Sequence, residues 1–306
     1  MACATATGSL LASYKAFHPT QTPVALPTRG KPAPAAAPAD SGLMADMKLN
    51  LPAGQLEDRL GLLQKLDGLR RNIDNSGSLE DLGKQQQQAY QLLLNGISQA
   101  FDLSKEDAKT LARYDTTKFT MEPTGDKKPK MMMHMPSHLG HQMLLARRLC
   151  EAGCGFITVG TTGWDMHNCP GNFGITDGMA IVGGAMDRAV TAFLEDVEER
   201  GLSDKILLVM VGEMGRTPKM DHNQRGHWGQ LGPLLFAGGG LKMGQVIGQS
   251  DKLAGSPASD LVTPDMLLPT IMSTLFDVGE LRVKPGLPVD VVRLITDGKV
   301  ISQLFS

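Results

Sequence analysis

The spacing of apolar positions changes character partway along the chain. From Leu56 to Arg71 they fall at Leu56, Leu60, Leu63, Leu66 and Leu69, the spacing of one helical face. A second helix is predicted over about Leu79–Gln99, polar on one side through Gln85–Gln88, and a third from Leu103 with Ser104 as its cap. Residues 20–41, rich in Pro, Ala and Thr, cannot pack densely and read as a flexible or extended segment. Residues 118–136 have no period and read as loop. The pattern then alternates. A helix over Gly140–Ala152 leads through Gly153 into the apolar run Phe156–Gly160, read as a strand. A long amphipathic helix is predicted from about Asp177 to Arg200, with Met179, Val182, Met186, Ala189, Val190, Phe193 and Val197 on one face and Gly201 as its stop. Ile206–Val211 is a continuous apolar run of the kind found in sheets buried on both faces, and Pro233–Ala237 is a further strand running into Gly238, Gly239 and Gly240. A last helix is expected to about Phe276, with Thr263 as cap and Pro264 at its first position.

This order predicts an α/β fold with polar residues collected just after the strands, where open α/β sheets place their sites. The expected division is a flexible segment over 1–44 and a domain over 45–306, helical over 45–117 and sheet-forming over 140–300.

Composition narrows the function classes. The chain has 306 residues, 42% apolar and 20% charged, enough for a substantial core. Its formal net charge of −2 creates no field to attract nucleic acid. The basic run Lys127-Lys128-Pro129-Lys130 is short and reads as solvated loop. No apolar run reaches the roughly 18 residues of a membrane-spanning helix, and residues 1–17 lack the basic start of a clear signal peptide. Cys3, Cys150, Cys154 and Cys169 do not form a disulfide framework in a chain this long. Cys150 and Cys154, four residues apart, read as small buried hydrophobes, since a zinc pair would need a second Cys or His pair at ribbon spacing.

Candidate chemistry sits in three clusters after strands. They are Gly163-Trp164-Asp165-Met166-His167, Gly212-Glu213-Met214-Gly215-Arg216-Thr217-Pro218, and Asp221-His222 with Arg225-Gly226-His227-Trp228. Together they offer carboxylates and imidazoles, ligands that suit zinc, manganese or iron. Each has a plainer reading. Asp165 and His167 also suit a turn cap. Glu213 at a strand end is costly unless it binds metal or pairs with Arg216. His222 reads equally as loop surface, and His227 with Trp228 as a packed pair. His134, His138 and His141 look like a metal tract, but Pro136 interrupts them. Gly238–Gly240 lacks the Lys-Ser/Thr of a phosphate loop, and no G-x-S-x-G elbow is present.

The segments Gly163–His167, Gly212–Pro218, His227-Trp228 and Ala237–Gly248, with Leu144–Leu149 and Phe101–Glu106, resemble the bacterial domain-of-unknown-function 1501 family. That family is sulfatase-like, within the alkaline phosphatase superfamily, and the likeness covers roughly residues 45–300. It implies a doubly wound, mostly parallel sheet with a metal centre at the strand ends, hydrolysing small anionic phosphate or sulfate esters. By that analogy Asp165, His167 and His227 match the ligands of one metal, and Glu213 replaces an Asp that helps hold a second. Arg216 is the candidate anion contact. Met214 stands where classical phosphatases usually have His, which weakens the second site, and Gly226 stands where many relatives have an acid. Complete relatives resemble longer, often exported chains whose N-terminal half carries the first strand, an early metal-binding Asp and the nucleophile. No such segment is found before residue 150, so the expectation is a sheet incomplete on its N-terminal side, with an exposed edge that favours oligomers. The alternative function is a non-catalytic scaffold or binding protein that keeps the fold.

Overall fold

The computed structural model describes residues 97–120, 136–167, 174–222 and 224–305. The expected flexible segment over 1–44, the helix over Leu56–Arg71, most of the one over Leu79–Gln99, His134, Cys3 and Cys169 lie outside them. The chain divides into two compact units, one drawing on residues up to Lys118 and on Ser137–Thr161, the other on Phe119–Pro136 and Thr162 onward.

The first unit contains α1 (Ile97–Ala100), a 3-10 turn (Leu103–Lys105), α2 (Ala108–Arg113) and α3 (Leu139–Glu151). The caps are not where Ser104 suggested. Ser104 lies inside the 3-10 turn and donates to Asp102, while Asp107 caps α2 by accepting from Thr110 N–H at 2.9 Å. An aspartate ahead of each turn satisfies the free N–H groups better than a serine within it. Helix α3 has no cap of its own. The Thr116 hydroxyl serves instead, accepting from Gly140 N–H at 3.0 Å and donating to Ser137 O at 2.9 Å. A Cβ at Gly140 would lie 1.7 Å from the Tyr114 carbonyl oxygen, so the helix reaches this close only with glycine. Its C-terminus closes as expected at Gly153 (φ +93°), whose N–H bonds Cys150 O while Cys154 N–H bonds Leu149 O.

Helix α3 buries Leu139, Met143, Leu144 and Ala146 together with a charge, Arg147, which is 1% exposed. Its guanidinium meets Glu106 at 2.8 Å and Glu151 at 2.6 Å. Arg148 also pairs with Glu106 and donates to the Ala100 and Gln99 carbonyls at 2.7 and 2.6 Å, closing the C-terminus of α1. Burial raises the pKa of Glu106, but hydrogen bonds from Arg147 and Arg148 outweigh it and hold the carboxyl below its usual range. The apolar run after α3 is not a strand. Residues 156–160 take no regular structure and Phe156 is 77% exposed, because no described strand lies alongside to pair with them.

The second unit opens with one continuous helix: α4 (Ile175–Gly178), a π-helical stretch (Met179–Gly183) and α5 (Gly184–Glu199). It ends at Gly201 (φ +65°), where Gly201 N–H bonds Glu198 O and Leu202 N–H bonds Val197 O. The buried face is largely the expected one: Val182, Ala189, Phe193 and Val197 are inside together with Ala185, Ala192 and Asp196, Met186 and Val190 are half-buried, and Met179 is exposed.

Next come β1 (Leu207–Val211), β2 (Gly215–Arg216), β3 (His227–Trp228), β4 (Leu234–Gly238), β5 (Gln249–Ser250) and β6 (Pro257–Ser259). They pair as β1–β4, β2–β3 and β5–β6, all antiparallel. Among the described residues no parallel pairing forms, so the doubly wound sheet expected from the resemblance is not what these residues show. The reason is the connection. Parallel neighbours need a crossover, usually a helix, and among the described residues the only regular elements between Val211 and Leu234 are the two-residue strands β2 and β3. Accordingly β1 is half-buried, with Val211 exposed, and not covered on both faces.

Three helices and a final turn complete the unit: α6 (Leu267–Leu275, after a 3-10 turn at Pro264–Met266), α7 (Val278–Val283), α8 (Val289–Thr296) and a 3-10 turn (Ser302–Leu304). Thr263 and Pro264 open the 3-10 turn that leads into α6, with no capping bond from the Thr263 side chain. Leu241, Ile301 and Leu304 form a core joined by Leu207, Leu234, Phe236, Ile247, Val262 and Met266. The buried Thr270 hydroxyl ties it by donating to Met266 O at 2.7 Å and accepting from Ile301 N–H at 3.0 Å. No helix among the described residues is long and apolar enough to cross a membrane.

Two stability predictions follow from the first unit. Gly140→Ala forces backbone apart at the start of α3 and should cost about 3 kcal/mol in chemical denaturation; an unchanged midpoint would refute the contact. Glu106→Gln removes the carboxylate that Arg147 and Arg148 share, leaving Glu151 to pair with the buried Arg147, and should cost about 3 kcal/mol. Because the folded pKa of Glu106 is depressed, its contribution is complete above the unfolded value of about 4.3 and is lost as pH falls through the folded one. Melting temperature followed against pH should therefore show a shallower acid limb in Glu106→Gln than in the wild type.

Candidate metal centre

Asp165 and His167 flank a buried methionine. Met166 is 6% exposed, and a Cβ at Gly178 on α4 would lie 2.7 Å from its sulfur, so that helix end has room for the thioether and nothing larger at position 178. Gly163, at φ +101°, turns the chain into the segment. Two successive three-residue turns shape it, Met166 N–H to Trp164 O at 3.0 Å and His167 N–H to Asp165 O at 3.1 Å.

The other half of the site is the β2–β3 hairpin, in which Arg216 faces His227 and Gly215 faces Trp228. A Cβ at Gly215 would sit 1.8 Å from the Leu231 carbonyl oxygen, so glycine lets the returning chain close over β2. Thr217 N–H donates to Gly226 O and Gly226 N–H to the Thr217 hydroxyl, both at 3.0 Å. Arg225 braces the loop through the Thr217 and Pro218 carbonyls at 2.8 and 2.6 Å.

These two pieces bring three side chains to one point. His167 Nε2 lies 2.8 Å and His227 Nε2 2.9 Å from the same oxygen, Asp165 Oδ1, and the two nitrogens are 3.0 Å apart. The ring centroids are 4.9 Å apart, tilted by 43°. Arg216 Nη2 adds a 3.0 Å bond to Asp165 Oδ1 and a 2.9 Å bond to Trp164 O, while its Nη1 stands 3.4 Å from His167 Nε2. Hydrogen bonding from His227 lowers the Asp165 pKa most; burial opposes it, and the Arg216 hydrogen bond with the charges of His167 and Arg216 adds to the lowering. The site is open: the Asp165, His167 and His227 side chains are 58%, 28% and 52% exposed.

Protons alone serve this arrangement poorly. If both imidazoles donate to Asp165, two N–H groups confront each other across 3.0 Å; if one does not, its lone pair faces the carboxylate. A cation accepts all three lone pairs at once. Two imidazoles and a carboxylate are a common donor set for divalent ions, so these residues fit one.

The other candidates fall elsewhere. Glu213, just beyond β1, is exposed and outside the triad, so it pays none of the burial cost that made it a candidate, and Arg216 pairs with Asp165 instead. His222 lies in the β2–β3 loop at φ +46°, exposed and 2.5 Å from Asp221. His138 and His141 are half-buried at the start of α3; desolvation lowers the pKa of both, partly offset at His141 by Asp115. Among the described residues, Asp165, His167 and His227 are the group able to hold a metal ion. Arg225 stood in the third cluster without its bracing role, and one support was not legible in the sequence: the Gly255 carbonyl that accepts from Trp228 Nε1–H at 2.7 Å. Strands of two residues carry no periodicity to reveal it.

No curated protein and no solved structure matches the chain. A family model described as a protein of unknown function, DUF1501, matches residues 18–305. With nearly its whole length covered, and with the Gly163–His167 and His227-Trp228 segments inside the match, the chain belongs to the DUF1501 family.

Proposed function

We propose that Asp165, His167 and His227 hold one divalent cation, zinc being a suitable ion, and that the site hydrolyses phosphate or sulfate esters. The observation that carries this reading is the convergence of three lone-pair donors within 3.0 Å of one another beside a guanidinium. The likeness of the surrounding motifs to sulfatase-like members of the alkaline phosphatase superfamily supports the choice of reaction.

When bound, the cation supplies Lewis acidity toward an ester oxygen and toward water. The chain's own residues set the stage. Arg216 is fixed in plane by Trp164 O and Asp165 Oδ1, leaving its Nη1 side directed at the site as a donor for an anionic oxygen. Met166, packed against Gly178, holds Asp165 and His167 in place, and β3 delivers His227 from across the site. Glu213 stands outside the group that would hold the ion.

Purified protein titrated with Zn²⁺ or Co²⁺ should take up about one ion per chain, and His227→Ala should weaken uptake about 100-fold. Less than one ion, with no change in His227→Ala, would overturn the reading. Loaded protein should turn over aryl phosphates or aryl sulfates, and a chelator should abolish this. Full loading without turnover would leave the ion a structural element and the protein a scaffold. Arg216→Lys, which loses the planar fork, should raise KM about 10-fold more than it lowers kcat; an unchanged KM would remove Arg216 from substrate binding.

A further inference from the structure

The β5–β6 hairpin has little of its own to hold it. Its ladder is Gln249 to Ser259 and Ser250 to Pro257 with a shift of register between, and all five strand residues are exposed. So short a ribbon is not stable alone in water. Its turn is nonetheless closely specified. Asp251 Oδ1 accepts from Leu253 N–H and Gly255 N–H, both at 2.9 Å, and Oδ2 from Ser256 N–H at 3.1 Å. Main-chain bonds from Asp251 N–H to Ser256 O and from Ala254 N–H to Asp251 O close it. Inside it Ala254 is held at φ +53°, a conformation that residues with a side chain seldom adopt. Such strain persists where surrounding contacts over-determine it.

The result is the direction of one carbonyl. Gly255, alone among residues 251–260 in not being exposed, presents its oxygen to Trp228 Nε1–H at 2.7 Å. Trp228 is the neighbour of His227 on β3, a strand of two residues whose ladder to β2 is equally short.

We propose that the Asp251–Ser256 turn positions the cation site: through Gly255 O and the Trp228 indole it fixes β3, and with it the direction from which His227 Nε2 meets Asp165 and His167. The inference rests on reading that triad as a cation site. Asp251 touches none of the three and is a positioning residue, acting through the backbone of its own turn and then through the indole. This gives the hairpin a role that its own burial does not explain.

The test uses the full chain as wild type, Asp251→Ala, Trp228→Phe and the double variant, with Asp251→Asn as the conservative control. Each is titrated with Co²⁺ by visible absorption, and the Trp228 indole and His227 imidazole resonances are followed by NMR in metal-free protein. Asp251→Ala and Trp228→Phe should each weaken Co²⁺ binding about 10-fold and move the His227 imidazole signals. The double variant should be no worse than Trp228→Phe, because both act through one hydrogen bond. Asp251→Asn, which keeps an acceptor for Leu253 and Gly255, should stay close to wild type. Unmoved His227 signals and unchanged Co²⁺ affinity in both single variants would overturn the proposal, as would additive losses in the double. A wild type that takes up no Co²⁺ defeats the cation reading, and the His227 signals in Asp251→Ala still decide the positioning. A variant that fails to fold shows it by lost ellipticity, and Trp228→Phe then carries the measurement.

Discussion

One carboxylate oxygen, Oδ1 of Asp165, has two imidazole nitrogens, themselves 3.0 Å apart, and a guanidinium nitrogen around it, all at 2.8 to 3.0 Å. Much else in the second unit follows from meeting that demand. The donors come from an irregular segment and from a hairpin, and neither would hold its geometry alone. The segment is pinned by a buried thioether against the start of a helix, the hairpin by a glycine that lets a carbonyl approach and by an arginine that gathers two more. Small, specific contacts take the place that an extended sheet has in larger α/β proteins.

The first unit solves a related problem with the opposite means. Its central charge, Arg147, is inside, and two guanidiniums share the single carboxylate of Glu106. Buried ion pairs of this kind are poor sources of net stability, yet breaking one is costly because a charge stays behind. They act as registers. Arg148 reaches the last carbonyls of α1 only when α3 sits at one height, and Gly140 against Tyr114 O fixes the other end of that helix. Helix α3 is thus held at both termini by polar contacts, while its apolar stripe supplies bulk burial that is less particular about position.

How much of this could be read from the sequence depends on how local each signal was. The helix ends at Gly153 and Gly201 were legible because a left-handed residue there favours glycine and leaves its mark in a single letter. The strands Leu207–Val211 and Leu234–Gly238 were placed within one residue, but their direction of pairing was not visible, since it depends on what lies between them. The run Phe156–Gly160 had the composition of a strand and has no partner strand among the described residues, which composition cannot supply. Three of the candidate residues, Asp165, His167 and His227, stand together, and they were singled out because chemistry-bearing residues gathered after the apolar runs. Glu213 was included for the same reason, and its exposure removes the argument. The tie from Trp228 to Gly255 spans 27 residues and uses a main-chain oxygen, so no residue type announces it.

The separation of the donors along the chain has a consequence for the denatured state. His167 and His227 are 60 residues apart, so an ion held by both closes a loop of that length. In the chain-entropy picture a permanent link across such a span would remove about 4 kcal/mol of freedom from the unfolded ensemble. A dissociable ion leaves the unfolded chain free and would instead stabilise the folded form by mass action, with the logarithm of its concentration relative to its dissociation constant. With an ion at this site, the stability of the second unit would follow ion supply as well as sequence.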